Sequence, residues 1–288
     1  MPRALMPSQR SQVLIADPGT PDPPEVLLDT GALLLEAPNW TLDGSALILN
    51  GDGLLWRCDL DDPAPRAIGF DGLPPLNNDH VLDPDGVHVL MSADDGHVYR
   101  GALTGGPVQR LTPDDGSRHF LHGVSPDGRR LAYVELADFE QPGRLVVLPI
   151  GGDPVVVPTG AGHLDGPEWS PDGAWIAFNT EAFGTAPGHA QLARVPDGGA
   201  PVERLVHSET VDWFPHYAPA GTLASYLSFP AGTLGHPADL DVVVRVVDTA
   251  DWSAPIRSYP LRGGQGTINV NSWSPDGSRL AFVTYPVG

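Results

Sequence analysis

Short runs of alternating apolar and polar residues recur along the whole chain, and turn-forming residues separate them. "RRLAYVEL" and "AWIAFNT" place Leu131, Tyr133, Ile176 and Phe178 at two-residue spacing, the period of a half-buried strand. Immediately before such runs stands Ser-Pro-Asp-Gly, at 125–128, 170–173 and 274–277. Pro presets φ for the second turn position, Asp tolerates the third, and Gly takes the left-handed one. A second hairpin often follows, as in "HVYRGALTGGPVQRLT" and "QLARVPDGGAPVERLV", where a Gly-rich turn joins two short alternating runs. No stretch carries the period of a long helix.

Six segments align on this pattern: "WTLDGSALIL" (40–49), "LDPDGVHVLM" (82–91), "VSPDGRRLAY" (124–133), "WSPDGAWIAF" (169–178), "YAPAGTLASY" (217–226) and "WSPDGSRLAF" (273–282). Successive turn glycines are 42, 42, 45, 48 and 56 residues apart. That spacing suits one four-stranded propeller blade per repeat. The expected fold is therefore all-β, a six-bladed β-propeller of antiparallel four-stranded blades. One domain covers 1–288, with blade cores near 40–70, 82–112, 124–158, 169–206 and 217–260, and a sixth built from 273–285 plus 12–36. "SQVLIADPG" and "PEVLLDTGALLLEAP" supply the outer strands of that last blade, so both termini share it and no edge strand is left open.

Composition agrees. There are 34 Gly and 32 Pro, which favour tight turns, and 41% apolar residues, as in a globular protein. Sixteen basic residues face 36 acidic ones, a formal charge of −20. No basic footprint exists for nucleic acid or an anionic membrane. Cys58 is the single cysteine, so an internal disulfide is excluded, and no Cys cluster offers a structural zinc site. The opening "MPRALMPSQRSQVLIADPGT" has no apolar signal core, and no run approaches membrane-spanning length, so a cytoplasmic location is expected.

The tandem "WSPDG-x-x-[LI]-A-F" units resemble those of the TolB-type β-propeller family, and they cover essentially the whole chain. The resemblance implies that each SPDG turn follows an innermost strand lining the central channel. The residues just ahead of each turn then determine what the channel binds. Here they are polar where blade packing alone asks for apolar side chains. Counting back from the first motif residue, position −1 holds Asn39, Glu168 and His216, position −2 holds His80, His122 and Asn271, and position −4 holds Glu36, Asn78, Asp165 and Asn269. Equivalent positions on different blades surround one axis, so these residues are expected to converge.

Three chemistries compete for that lining. A wet structural channel needs only Asn, Asp and His bonded to backbone and water. A small polar ligand, with a sugar or sugar acid as the leading class, would use Glu36, Asn78, Asp165, Glu168, Asn269 and Asn271. Trp213 is then a stacking surface, and His236 and Asp239 reach over from the loop "GTLGHPADLDVVVRV". The third is a divalent ion of Mn, Zn, Fe or Ni type. Oligogalacturonate lyase propellers have related repeats and hold such an ion with His and Gln side chains. The resemblance in residue type and location implies His80, His122, His216 and Gln265 as ligands, with His119 as catalytic base. The enzyme reading is a metal-assisted lyase, isomerase or hydrolase. The alternative is a non-enzymatic scaffold whose rim engages a protein partner.

Overall fold

In a computed structural model describing residues 3–184 and 186–288, six sheets follow one another in chain order, and no helix forms among those residues. Blade 1 runs Glu36–Trp40, Ala46–Gly51, Leu54–Asp59 and Arg66–Ile68 from the axis outward. Blades 3, 4 and 5 repeat that order from inner strands Arg118–Val124, Leu164–Trp169 and Val211–Tyr217. Blade 2 starts at Leu76–Leu82 and gains a short fifth strand, Phe70–Asp71, parallel to its outermost one. This extra strand caps an edge that the repeat alone leaves bare.

Closure follows the expected route. Ser11–Ala16 lies between Leu280–Thr284 and Glu25–Thr30, antiparallel to both, with Gln12 opposite Thr284 and Ala16 opposite Leu280. The sixth inner segment differs from the other five. Among the described residues it forms a single bridge, Trp273 to Leu280, with further N–H bonds from Ala281 to the Ser272 carbonyl (2.9 Å) and from Val283 to the Thr267 carbonyl (3.2 Å) in place of a regular ladder. Ahead of that bridge, local side-chain bonds compete with the ladder: Asn269 Oδ1 accepts from the Gly266 N–H (2.7 Å), and Thr267 Oγ1 accepts from that of Gly264 (3.0 Å).

The turns carry the chemistry that the repeat predicts. In blade 3, Ser125 Oγ donates to Asp127 Oδ1 (2.6 Å) and accepts from the Arg130 N–H (2.9 Å), and Gly128 closes the turn at φ 70°. Ser170–Asp172 and Ser274–Asp276 repeat the hydroxyl–carboxylate bond at 2.6 Å. Around the ring, each turn abuts the preceding blade's turn: a methyl added at Gly128, Gly173, Gly221 or Gly277 would touch Pro84, Pro126, Pro171 or Pro219, respectively. Between neighbouring blades the apolar faces of the strands pack in clusters such as Leu164, Trp169, Ile176 and Phe178 against Val134 and Leu145.

One irregularity positions the site. The inner strands of blades 1–5 all shift register just ahead of the motif, between residues 36/39, 76/80, 121/123, 165/168 and 213/216. Position −3 takes left-handed φ at Ala37 (54°), Gly166 (61°) and Phe214 (56°). Such a bulge re-aims the side chains on either side of it. Position −4 of blades 2, 3, 4 and 6, with His122 at position −2 of blade 3, turns toward the axis on the face opposite the SPDG turns. His80, Glu168, His216 and Asn271 turn into the blade interfaces.

Gly173 sits at φ 72°, and a Cβ there would find ordinary contact only. Gly173→Ala should therefore cost about 1–2 kcal/mol of backbone strain without a steric clash. A lowered urea midpoint with an unchanged m-value is the expected result.

Candidate functional site at the channel mouth

A cavity of about 380 Å³ opens on the face opposite the SPDG turns. Asn78, Phe120, Asp165 and Asn269, all at position −4, line it together with Asp79 and His122 from inner strands. The blade 5 loop adds His236, and the segment before the sixth inner strand adds Gln265. Val134, Leu136 and Phe139 form an apolar wall on the blade 3 side.

Asp165 is its electrostatic centre. His122 Nε2 lies 2.8 Å from Asp165 Oδ1, and His236 Nε2 lies 3.6 Å from Oδ2. Asp79 Oδ1 stands 4.0 Å from His122 Nε2. Both imidazoles are oriented from behind. His122 Nδ1 is 3.3 Å from the Asn269 carbonyl, to which it donates. His236 Nδ1 donates to Gln265 Oε1, whose amide nitrogen in turn donates to Asn78 Oδ1 (3.0 Å). Phe214 stacks on His122 at 5.9 Å between ring centres, and Trp213 packs under His236 at 4.5 Å. Gly166 leaves the space this stack needs, since a Cβ there would meet the Phe214 ring at 3.1 Å.

Burial and charge set the protonation states against each other. Burial disfavours the His122 cation, yet the carboxylates of Asp79 and Asp165 outweigh it and push His122 up to about 9. Burial also works against the Asp165 anion, but His122 beside it holds that carboxyl well below the usual range. Asp79 is pushed up to about 6, chiefly by burial, with His122 opposing and Asp165 adding. Burial lowers His236, so its imidazole stays neutral near pH 7.

The remaining sequence candidates lie elsewhere. His80 and His216 do not line the cavity. His80 Nδ1 bonds Asn50 of blade 1, and burial lowers it to about 4. His216 Nδ1 pairs with Glu168 Oε2 at 2.6 Å, and its Nε2 donates to the Ile268 carbonyl at 2.7 Å. Glu168 also accepts from the Tyr217 N–H (3.0 Å) and from Asn271 Nδ2 (2.7 Å), which makes Glu168, His216 and Asn271 a tie between blades 4, 5 and 6. The proposed quartet of His80, His122, His216 and Gln265 is therefore not assembled; only His122 and Gln265 reach the cavity. Trp213 is buried beneath His236 and presents no open ring face. His119 points away from the cavity, as neighbours of Phe120 must on an alternating strand.

Glu36 and Asp239 are engaged by a residue that sequence reasoning missed. Arg3 Nη1 donates to Glu36 Oε1 (2.8 Å) and to the Gln265 carbonyl (2.7 Å), its Nη2 lies 3.3 Å from Asp239 Oδ1, and its guanidinium lies over the Tyr285 ring at 4.1 Å. Gln9 Nε2 donates to the same Asp239 oxygen. His163 was missed as well, and Asp79 stands in the polar stretch ahead of the second turn without having been given a role. The His163 ring lines the cavity, but its Nδ1 accepts from the Gly143 N–H at 3.1 Å, which places the proton on Nε2.

Fold and site together define a six-bladed propeller with a polar, partly apolar-walled cavity at one mouth of its channel. The chain belongs to the TolB-type β-propeller family. It is 36% identical to a TolB-like protein from Agrobacterium tumefaciens whose solved structure superposes with a TM-score of 0.88, over 97% of this chain and 99% of that one. An uncharacterized protein from Agrobacterium fabrum, Atu1656, is 38% identical over 258 residues, 88% of this chain and 85% of its own length. An oligogalacturonate lyase solved in complex with manganese shares the fold alone, at 15% identity and a TM-score of 0.58 over 96% of this chain and 78% of that one. No protein-family model matches the chain.

Asp79 and Asp165 both support the His122 cation by charge, and Asp165→Asn removes the one that is also hydrogen-bonded to it. In the metal-free variant, the His122 pKa followed by NMR should fall from about 9 toward or below the ordinary imidazole range. In the parent protein, the folded state holds this proton more tightly than the unfolded chain. The stabilisation is therefore complete below the unfolded value near 6.5 and is lost as pH rises through about 9. Denaturant midpoints should fall across that window, and by less in Asp165→Asn.

Proposed function

We propose that the channel-mouth cavity binds a small polyhydroxylated ligand, a sugar or sugar acid, together with one divalent cation. The observation that carries this reading is the arrangement of Asp165 between two imidazoles. Both His122 and His236 have Nδ1 committed to an oxygen and Nε2 turned toward the Asp165 carboxylate. Metal-bound histidines are typically oriented in this way, through a hydrogen bond from the nitrogen that does not ligate.

The donor set fits such an ion. Two imidazole nitrogens and one carboxylate suit a first-row divalent ion by type and leave positions for ligand oxygens. The three donors do not all lie within 4.8 Å of one another, so an ion would have to draw the two imidazoles in around Asp165. His122, His236 and Asp165 would hold it. Gln265 acts one layer out, by orienting His236. His163 does not fit, because its Nδ1 accepts a backbone N–H and its Nε2 therefore carries the proton. The manganese of the oligogalacturonate lyase supports the ion class, although the likeness there is one of fold, and the ligands are argued from this chain's own donors. A bound ion would supply Lewis acidity to a ligand oxygen.

The remaining walls suit a sugar. Phe120, Val134, Leu136 and Phe139 can cover its C–H face, while Asn77, Asn78 and Gln141 offer amides to its hydroxyls. Asp79 is the group placed to accept a proton from a bound ligand, the role first assigned to His119. In an enzyme of the lyase, isomerase or hydrolase type, Asp79 would be the general base.

Calorimetric titration of D-galacturonate into protein charged with Mn²⁺ tests this reading. Saturable binding is expected, weakened at least about tenfold in His122→Ala and Asp165→Asn and retained in His80→Ala. If the folded parent protein binds neither the ion nor any sugar or sugar acid, the reading is wrong and a role in protein recognition through the rim takes its place.

A further inference from the structure

The geometry points to a cation site on the other side of blade 3, built from Asp115, His119 and Glu135 and suited to a divalent ion of the zinc class. It stands independently of the cavity and of the function proposed for it. Val134 and Leu136 face the cavity, so Glu135 between them faces blade 2. On the paired inner strand, Phe120 faces the cavity and His119, directly opposite Glu135, faces blade 2 as well. Asp115 arrives from the turn that leads into this strand. One donor atom from each of the three residues lies within 4.8 Å of the others.

His119 shows that something is missing from this cluster. Its side chain is buried, and Nδ1 donates to the Gly96 carbonyl at 2.8 Å. Nε2 of the same ring is buried and makes no hydrogen bond. It lies 3.5 Å from Asp115 Oδ1, within ion-pair distance but too long for a good hydrogen bond. A buried polar nitrogen without a partner is costly, and a cation held by ring and carboxylate together would satisfy both. The Tyr133 hydroxyl, which feels the charge of both Glu135 and Asp115, is also buried without a partner.

The donors are already oriented. The Ser117 N–H donates to Asp115 Oδ1 at 2.9 Å and fixes that carboxylate in its turn. Arg144 holds one oxygen of Glu135 and leaves the other without a hydrogen bond. The His119 Nδ1–H bond to a backbone carbonyl is the support that a ligating imidazole commonly has. One imidazole nitrogen with two carboxylates favours Zn²⁺ or Co²⁺ over Ca²⁺ and Mg²⁺, which prefer oxygen throughout. Asp115 is half-exposed, so the ion has a route in from solvent.

The test is Co²⁺ titration of metal-stripped full-length protein, followed by visible absorption and by bound equivalents after gel filtration. The cavity variant His122→Ala/His236→Ala is expected to keep one bound Co²⁺ that Zn²⁺ displaces. Asp115→Asn should weaken that binding at least about tenfold, and Glu135→Gln should do the same. Asp115→Asn keeps an oxygen for the Ser117 N–H, so its fold should persist, and a circular dichroism melt checks this. Loss of all Co²⁺ from the cavity variant, or affinity unchanged in folded Asp115→Asn and Glu135→Gln, would overturn the assignment. Failure of the cavity reading gives a different result: a single ion in the parent protein, abolished by Asp115→Asn and untouched by His122→Ala.

Discussion

Five inner strands and a sixth, irregular segment have to meet around one axis, and the short stretch ahead of each turn, bulged in blades 1–5, supplies the side chains that reach it. In blade 3, Phe120 and His122, two residues apart, both line the cavity. In blade 4, Asp165 lines the cavity and Glu168 bonds the neighbouring blades, on either side of the register shift between them. The cavity and the ties that close the ring are therefore built from the same short stretch of inner strand.

The ties hold charged and polar groups where blade packing alone would call for apolar ones. Glu168 is satisfied from blades 5 and 6 at once, through His216, the Tyr217 N–H and Asn271. Asn39 accepts from the Leu82 N–H at 3.0 Å and donates to the Asn271 carbonyl at 2.6 Å. Buried polar groups with full sets of partners fix the relative position of the elements they join. That rigidity matters at the cavity, where His122 comes from blade 3, Asp165 from blade 4 and His236 from a loop of blade 5. Asp79 and Asp165 place two carboxyls beside His122, so a divalent ion that displaces the His122 Nε2 proton is electrostatically welcome there.

The repeat was fully legible in the sequence because its signal is local: a turn with a mechanism, an alternating strand after it, and a near-constant spacing. Ring closure was legible for the same reason, from two unassigned strand-like runs at the start. At the site, the position −4 candidates Asn78, Asp165 and Asn269 line the cavity, as does His236 from its loop, while Glu36 is held by Arg3. Of the histidines at positions −1 and −2 only His122 joins them, and nothing in the residue pattern separates it from the others, because a bulge leaves no mark beyond Gly166, and Ala37 and Phe214 take the same left-handed conformation without one. His80 and His216 were misplaced on that account. Arg3 could not be read at all, since its partners Glu36, Asp239 and Gln265 are brought to it only by the closed ring. The meeting of Asp115 and His119 with Glu135 was equally hidden, since Glu135 lies far along the chain and comes opposite His119 only through the strand pair.

The most direct measurement is a crystal structure of the protein grown with Mn²⁺ and a sugar acid, with anomalous diffraction locating the metal. The account predicts an anomalous peak bounded by His122 Nε2, His236 Nε2 and Asp165, with the sugar against Phe120 and Phe139. A metal- and sugar-free cavity at saturating concentrations, or a metal bound at His80 or His216 in place of Asp165, would contradict it.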